Sequence, residues 1–340
     1  MKPGINFAFK LCKRRTQIKN GAAVQKGRYF IMFQMEGIYA PIPIPFDGGF
    51  GPIDMEAMRE NMERLWNPSR LAGIVVMGSN GEFVFLTEQE KREVIQAVCK
   101  LTAPGKHVIA GCGCESTAAT IELCKYAAEA GARAALVLNP NYYKGAMKEP
   151  VMEEFFNDVA DASPIPVILY NMPGNSGVNL SSALVKKLSV HPNIIGIKDS
   201  GGNIVQIMET IRDTPEDFAV FAGSASFLQP VTAAGGKGGT LALANIFPDE
   251  CAELYELTKA GKMEKAVRLQ LALMEANKAV TGRFGIPGLK AAVDLAGGRG
   301  GFPRRPLLPL EEENKKVLEG ILRKTKEETA YVITEGKGER

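Results

Sequence analysis

Histidine is almost missing from this chain, with His107 and His191 the two present in 340 residues. That scarcity argues against histidine-ligated metals and histidine acid–base pairs, which place imidazoles together in one cleft. Cysteine supplies no metal finger either, because Cys12, Cys99, Cys112, Cys114, Cys124 and Cys251 fall into no ligand spacing. Cys112 and Cys114 form a C-x-C that admits a metal or a disulfide. With no second Cys or His pair nearby, small residues packing a strand end is the preferred reading. Cys99 and Cys124 fall on helical patterns, where a free thiol packs as a small apolar group. Such cysteine usage fits a reducing cytoplasm.

Long apolar runs are also absent. None approaches the ~18–20 residues of a membrane span, and the longest, around Ala132–Leu138, reads as a buried strand. A formal net charge of +3, spread along the chain, leaves no nucleic-acid footprint. The composition is otherwise ordinary, at 45% apolar, 23% charged and 7% aromatic residues, and the length allows one large core or two modest ones.

Acidic residues are lacking from the beginning of the chain, where residues 1–35 hold eight Lys or Arg and the first acid is Glu36. Organellar transit peptides are basic and acid-poor, but this stretch contains no Ser and no clean helical stripe. Lys26-Gly27-Arg28 can be encoded AAA-GGG-AGG, a purine-rich ribosome-binding sequence three codons before Met32. The preferred reading is a bacterial gene whose start is placed too early, with the protein beginning at Met32 or Met35. Residues 1–31 therefore form a basic extension. A cytoplasmic protein is expected, or one of the mitochondrial matrix if the extension is a transit peptide.

From Gly37 onward short β-rich runs alternate with helical patterns, the signature of parallel βαβ units. Candidate strands are Gly37–Pro43, Gly73–Met77, His107–Gly111, Ala134–Leu138, Pro166–Tyr170, Ile194–Lys198, Phe218–Ala222 and Gly239–Leu243. Helical segments lie near 54–66, 87–102, 116–130, 149–161, 181–189, 203–213, 226–234 and 248–260. Thr87 with Glu90 makes a capping box, and Gly131 and Gly261 stand where C-terminal caps are expected. Eight such units over about 225 residues predict an α/β fold, a (β/α)8 TIM barrel spanning residues 32–260. A doubly wound open sheet is the runner-up, weakened because no G-x-G-x-x-G follows the first strand. Residues 261–340 read as a C-terminal helical appendage, with helices at 263–281 and 311–331 joined by the Gly/Pro-rich stretch Gly285–Pro309. Residues 335–340 read as frayed.

In such a barrel the active site lies at the C-terminal ends of the strands. His107 starts a strand and His191 precedes one, so both belong to the opposite face. Gly235-Gly236-Lys237-Gly238-Gly239 resembles a phosphate loop but leads into a strand, and a tight turn is the better reading. The strand ends that remain carry Gly78-Ser79-Asn80-Gly81-Glu82, Asn139-Pro140-Asn141-Tyr142-Tyr143, Tyr170-Asn171-Met172-Pro173 and Lys198-Asp199-Ser200. They offer an amine, phenols and small donors, and no metal cage.

Lys198 closes the run Ile194-Ile195-Gly196-Ile197, which starts its stem in the barrel interior. An exposed lysine, of pKa about 10.4, holds well under ~0.1% free amine at pH 7. Burial in apolar surroundings lowers that value and yields a nucleophile for a ketone. Position alone leaves two roles open: such a nucleophile, or a lysine ion-paired to Asp199 or another carboxylate. Lys144 follows the tyrosines in a loop and reads as solvated. Tyr170 and Tyr143 are candidate proton carriers, since a held phenol can relay a proton to a carbinolamine; the alternative for each is an aromatic packing residue with its hydroxyl bonded. Tyr142 is assigned to that packing role. Gly78-Ser79-Asn80-Gly81 suits a carboxylate, with glycines admitting close approach and N–H, Ser and Asn donors; a plain turn is the alternative. Glu82 reads as a brace for this loop.

Together these pieces resemble the dihydrodipicolinate synthase/N-acetylneuraminate lyase family of Schiff-base aldolases. The resemblance runs from about Gly37 to about Leu310 and rests on the G-x-x-G-E loop, the Tyr-Tyr pair after strand four, Tyr-Asn-x-Pro after strand five and the lysine ending strand six. It implies that Lys198 is the Schiff-base lysine, Tyr170 the proton relay and Tyr143 a tyrosine lent across a dimer interface. It further implies that Ser79 and Asn80 bind the C1 carboxylate of a 2-oxo acid. Ser200 and Asn175 are candidates for the far carboxylate, and Gly223 joins the substrate-binding set. No metal or organic cofactor is implied, and a homotetramer built as a dimer of dimers is expected.

Two departures bear on the substrate. Where dihydrodipicolinate synthases usually carry two threonines, this loop has Ser79-Asn80, and their arginine after Tyr-Asn-x-Pro stands here as Asn175. The segments Gly78–Phe83, Lys198–Gly202 and Arg283–Lys290 look like the 4-hydroxy-2-oxoglutarate aldolase branch, which yields pyruvate and glyoxylate. Dihydrodipicolinate synthase and 2-keto-3-deoxy sugar acid aldolase activities are the rivals within the family. A 2-oxo acid sensor with a salt-bridged Lys198 is the rival outside enzymes.

Overall fold

Short strands followed by amphipathic helices can bury both faces of a parallel sheet only by closing it into a ring or sandwiching it. The computed structural model, which describes residues 33–335, takes the first route. The basic extension, the reading of its start site, and residues 336–340 lie outside the described residues. The strands are β1 (Gly37–Pro41), β2 (Gly73–Val76), β3 (His107–Gly111), β4 (Ala134–Leu138), β5 (Val167–Asn171), β6 (Ile194–Asp199), β7 (Ala219–Ala222) and β8 (Gly238–Thr240). All pair in parallel in sequence order, and β8 pairs with β1 to close the barrel. This is the expected (β/α)8 architecture.

Strand alternation divides the core in two. Tyr39, Val75, Ile109, Leu136, Ile168 and Phe221 point inward and fill the lumen. Their neighbours Ile38, Ile74, Val137, Leu169 and Val220 point outward against the ring of helices. The capping box of the helix Glu88–Leu101 forms as expected, Thr87 Oγ1 accepting from the Glu90 N–H at 3.2 Å. Gly131 takes the left-handed C-cap conformation, with φ 103°. His107 begins β3 and His191 lies in the turn before β6, beside Asp161 at 3.1 Å, so both are at the N-terminal ends of strands.

One irregularity decides where the barrel's chemistry can be. Ile194 faces the outer core, and strict alternation would send Lys198, four residues on, outward with it. Between Val167 and Ile168 of β5 the register slips, so that Val167 opposes Ile194 but Ile168 opposes Gly196. The extra residue turns the rest of β6 over, and Lys198 comes to lie opposite Tyr170. Gly196 is needed at the bulge, because a Cβ there would lie 2.4 Å from the Ala219 carbonyl oxygen.

The structure corrects the sequence reading in the C-terminal region. The stretch Gly285–Pro309, read as a linker, begins with a helix, Gly285–Leu295. Pro287 lies in its first turn, where N–H groups have no partner inside the helix, so the proline costs no helical bond. Gly288 lets Phe284 pack directly on that turn, its would-be Cβ lying 2.3 Å from the Phe284 Cβ. The last strand is also shorter than expected. The chain leaves it after Thr240 in a tight turn over Ala242–Asn245, where Asn245 Nδ2 donates to the Pro41 and Ala242 carbonyls. Helices Met263–Lys278 and Glu312–Thr334 complete the region, and among the described residues no helix is long and apolar enough to cross a membrane.

Candidate active site

Adjacent strands in register place same-facing side chains side by side, and the bulge in β6 applies this to Tyr170 and Lys198. Both are buried, at 4% and 3% exposure. Lys198 Nζ lies 4.2 Å from the centroid of the Tyr170 ring. The ion-paired alternative for Lys198 is not what the structure shows. The Asp199 carboxylate turns the other way, accepting from Asn171 Nδ2 and the Gly201 N–H, each at 2.8 Å. Burial raises the Asp199 pKa, and these neutral donors only partly oppose it. Asp199 thus ties the ends of β5 and β6 together and leaves the amine beside it unpaired.

The Tyr170 hydroxyl meets Ser79 Oγ at 3.2 Å, and either oxygen can donate. Burial would raise a phenol's pKa, but the Lys198 charge and bonds to Ser79, Lys198 and Ser200 outweigh it and leave Tyr170 below the usual tyrosine range. Ser79, Tyr170, Lys198 and Ser200 therefore form one cluster of groups able to exchange protons. Ser79 opens the turn Ser79–Gly81. The turn is bracketed by Met77 and Glu82, the two non-glycine residues of positive φ among the described residues, at 63° and 55°. Backbone strain of this kind persists where surrounding contacts over-determine it, and it concentrates at ligand sites.

Asn80 contributes differently from the expectation. Its Nδ2 donates to the Pro41 carbonyl at 3.0 Å and holds the turn on the end of β1. The backbone N–H groups of Ser79 and Asn80, at the head of the turn, have no acceptor within it, and these are the donors that remain for a carboxylate. Gly223 spends no side chain on the site but permits Ser200 to approach: a Cβ would lie 2.0 Å from Ser200 Oγ. Its own N–H is committed to the Asp199 carbonyl at 2.7 Å. Asn175 is exposed on the short helix Pro173–Ser176, at the rim of a cleft of ≈ 670 Å³ that opens at Ser79. Neutral Asn139 and Asn141 also line that cleft. Lys91 on its outer wall is ion-paired to Glu88 at 2.6 Å.

Tyr143 is not brought to the cluster within this chain, being 74% exposed. Tyr142, read as a packing residue, is 79% exposed and stacks edge-on against Tyr143, with ring centroids 5.0 Å apart. The backbone N–H groups of Asn141 and Tyr142 donate to the Glu115 carboxylate at 3.0 and 2.9 Å and anchor the start of this loop. Cys112 is buried, and it and Cys114 are free thiols, as the strand-end reading expects. Among the described residues no His, Cys, Asp and Glu cluster could hold a metal.

Sequence reasoning missed a buried assembly beneath the turn. Lys290 Nζ lies 2.7 Å from Glu82 Oε1, and the Arg304 N–H donates to Glu82 Oε2 at 2.8 Å. A lysine amid the buried Leu289, Ala292 and Val293 of one helix is the signal that was available; its partner, far off in the chain, was not.

Residues 34–325 match the Dihydrodipicolinate synthetase family. The chain is 38% identical over 304 residues to L-threo-3-deoxy-hexylosonate aldolase of Hypocrea jecorina, covering 86% of this chain and 96% of that protein. It is also 38% identical over 284 residues to a protein of Emericella nidulans named Probable 4-hydroxy-2-oxoglutarate aldolase, mitochondrial, covering 82% and 91%. Among solved structures, a dihydrodipicolinate synthase of Bacillus anthracis superposes with a TM-score of 0.81 at 32% identity, covering 86% of this chain and 99% of that one. Fold and sequence agree over nearly the whole described region: the chain belongs to the dihydrodipicolinate synthetase family and is a carbon–carbon lyase.

Proposed function

We propose that the protein is a class I aldolase in which Lys198 forms a Schiff base with a 2-oxo acid, and that its substrate is 4-hydroxy-2-oxoglutarate. The observation that carries this reading is a buried lysine amine over the Tyr170 ring, with no carboxylate paired to it and the Ser79–Tyr170 hydroxyl pair at hand. Lys198 adds to the C2 carbonyl, and Tyr170 passes the proton that makes the carbinolamine and then lets water leave. Tyr170, left as a phenolate when it protonates the departing hydroxyl, takes the proton of the C4 hydroxyl, and the iminium withdraws the C3–C4 bonding electrons. Glyoxylate departs, the enamine is protonated at C3, and hydrolysis frees pyruvate and the amine. The backbone N–H groups of Ser79 and Asn80 hold the C1 carboxylate, and Ser200 and Asn175 the distal one. Tyr143, exposed at the surface, acts in the site of a neighbouring subunit in a dimer of dimers. No metal or organic cofactor takes part.

A second substrate reading has support of its own. The distal cleft is lined by the amides of Asn139, Asn141 and Asn175 together with Glu115, and Lys91 there is already paired to Glu88, so no unpaired cation faces it and the hydroxyls of a 2-keto-3-deoxy sugar acid suit it. The two aldolase relatives are equally similar in sequence, so identity does not separate these substrates. The Asn175 position lacks the bidentate clamp that an arginine would give aspartate semialdehyde. Parallel assays with 4-hydroxy-2-oxoglutarate, a 2-keto-3-deoxy hexonate, and pyruvate plus aspartate semialdehyde test this. We expect kcat/KM for 4-hydroxy-2-oxoglutarate to lead by roughly 10- to 100-fold. A lead for the sugar acid moves the assignment to the second reading, and a lead for the semialdehyde reaction contradicts both.

A further inference from the structure

The C-terminal region reaches the site through one side chain. Lys290, on the helix Gly285–Leu295, is 1% exposed. Besides Glu82, its Nζ meets two carbonyls, donating to Ile44 at 2.7 Å and to Phe302 at 2.5 Å. Both Lys290 and Arg304 lie against the Phe46 ring, at 4.4 and 4.1 Å from its centroid. A single ammonium therefore joins the segment after β1, the residue closing the Ser79–Gly81 turn, and the segment that follows its own helix. Arg304 in turn pairs with Glu90 at 2.7 Å, on the helix leading away from the same turn.

Stability alone is a weak explanation for this pair. Two charges taken out of water recover their desolvation only with good geometry, and apolar residues of similar volume often serve as well or better. Glu82 needs a fixed geometry, because its φ of 55° is a conformation that non-glycine residues seldom keep unaided, and its carboxylate is restrained by the Lys290 charge 2.7 Å from Oε1, a contact without hydrogen-bond geometry, and by the Arg304 N–H on Oε2. We propose that Lys290 is a positioning residue for substrate binding: by gripping Glu82 it fixes the turn whose N–H groups receive the carboxylate of the 2-oxo acid. The proposal rests on the role assigned to that turn above. It gives the C-terminal helices a part in binding although they contribute no group to the chemistry.

Pyruvate serves as the probe, with borohydride trapping of full-length enzyme read by intact mass across a series of pyruvate concentrations. For Lys290→Met we expect the half-saturating pyruvate concentration to rise about 10- to 100-fold, the scale on which misplaced binding groups act. The fraction trapped at saturating pyruvate should stay at the wild-type level, because Lys198 and Tyr170 are untouched. A residue that only filled space would lower thermal stability without moving the midpoint, so an unmoved midpoint in folded protein overturns the proposal. Should that variant fail to fold, Glu82→Gln replaces it. Burial already holds the Lys290 pKa down to about 8, so without Glu82 the lysine can shed its proton and keep its carbonyl bonds. Glu82→Gln should show the same rise, and a wild-type midpoint there would equally overturn the assignment. If wild-type protein itself gains no mass with pyruvate, the Schiff-base reading fails and not the positioning role.

Discussion

Lys198→Ala should abolish turnover, with a loss on the order of 10⁶-fold, the scale seen when a covalent nucleophile that acts as a unit with its partners is removed. Three other described amines lie near the site or its loops, and none is placed to substitute: Lys91, in the cleft, is ion-paired to Glu88. Lys290 is enclosed by Glu82 and two carbonyls beneath the turn, and Lys144 is exposed on the loop after β4. The fold should survive, since Lys198 forms no ion pair whose loss would strand a buried carboxylate, Asp199 being satisfied by Asn171 and Gly201. Circular dichroism and thermal melting are the checks, with the midpoint expected to move by no more than about 5 °C. A variant that is folded and still active would remove Lys198 from the mechanism. One that is inactive because unfolded would leave activity uninformative, and Lys198→Met, which keeps the stem's volume, then serves instead.

Tyr170→Phe tests the proton route separately from the nucleophile. The phenylalanine keeps the buried ring against the lumen and under Lys198, and loses only the hydroxyl that meets Ser79 at 3.2 Å. Removing a positioned general acid–base group typically lowers the rate by about 10²–10⁴-fold. We expect kcat to fall by that amount while KM changes by less than about threefold, because the carboxylate donors on the Ser79–Gly81 turn stay in place. Iminium formation should be slowed as well, so that trapping with pyruvate and borohydride takes longer but reaches the same extent. A Tyr170→Phe enzyme with wild-type kcat would mean that protons travel by another route. One with raised KM and unchanged kcat would make Tyr170 a binding group.

How far these features could be read from the chain differs from one to the next, for physical reasons. The eight βα units were legible because parallel strands are nearly continuous apolar runs and the helices between them carry their own caps, as Thr87 and Glu90 do. Lys198 was rightly placed inside the barrel, yet plain alternation from Ile194 would have turned it outward. The glycine at 196 was the available sign of the bulge that corrects this. The helix Gly285–Leu295 escaped because glycine and proline count against a helix only in its interior, and Pro287 lies in the first turn. The engagement of Asn80 with Pro41, and of Lys290 with Glu82, depends on which distant segments fold together, and local pattern carries no such record. The sequence placed Tyr142 and Tyr143 after a strand but not their exposure, because nothing in the local pattern records that among the described residues both rings stay outside the core.

The central claim is that the amine of Lys198 condenses with the ketone of a 2-oxo acid. Wild-type enzyme incubated with pyruvate and sodium borohydride, then digested and sequenced by mass spectrometry, tests it most directly. The account predicts one reduced pyruvyl adduct per chain, on the peptide carrying Lys198, and none without pyruvate. Full activity surviving that treatment, or an adduct on a different lysine, would contradict it.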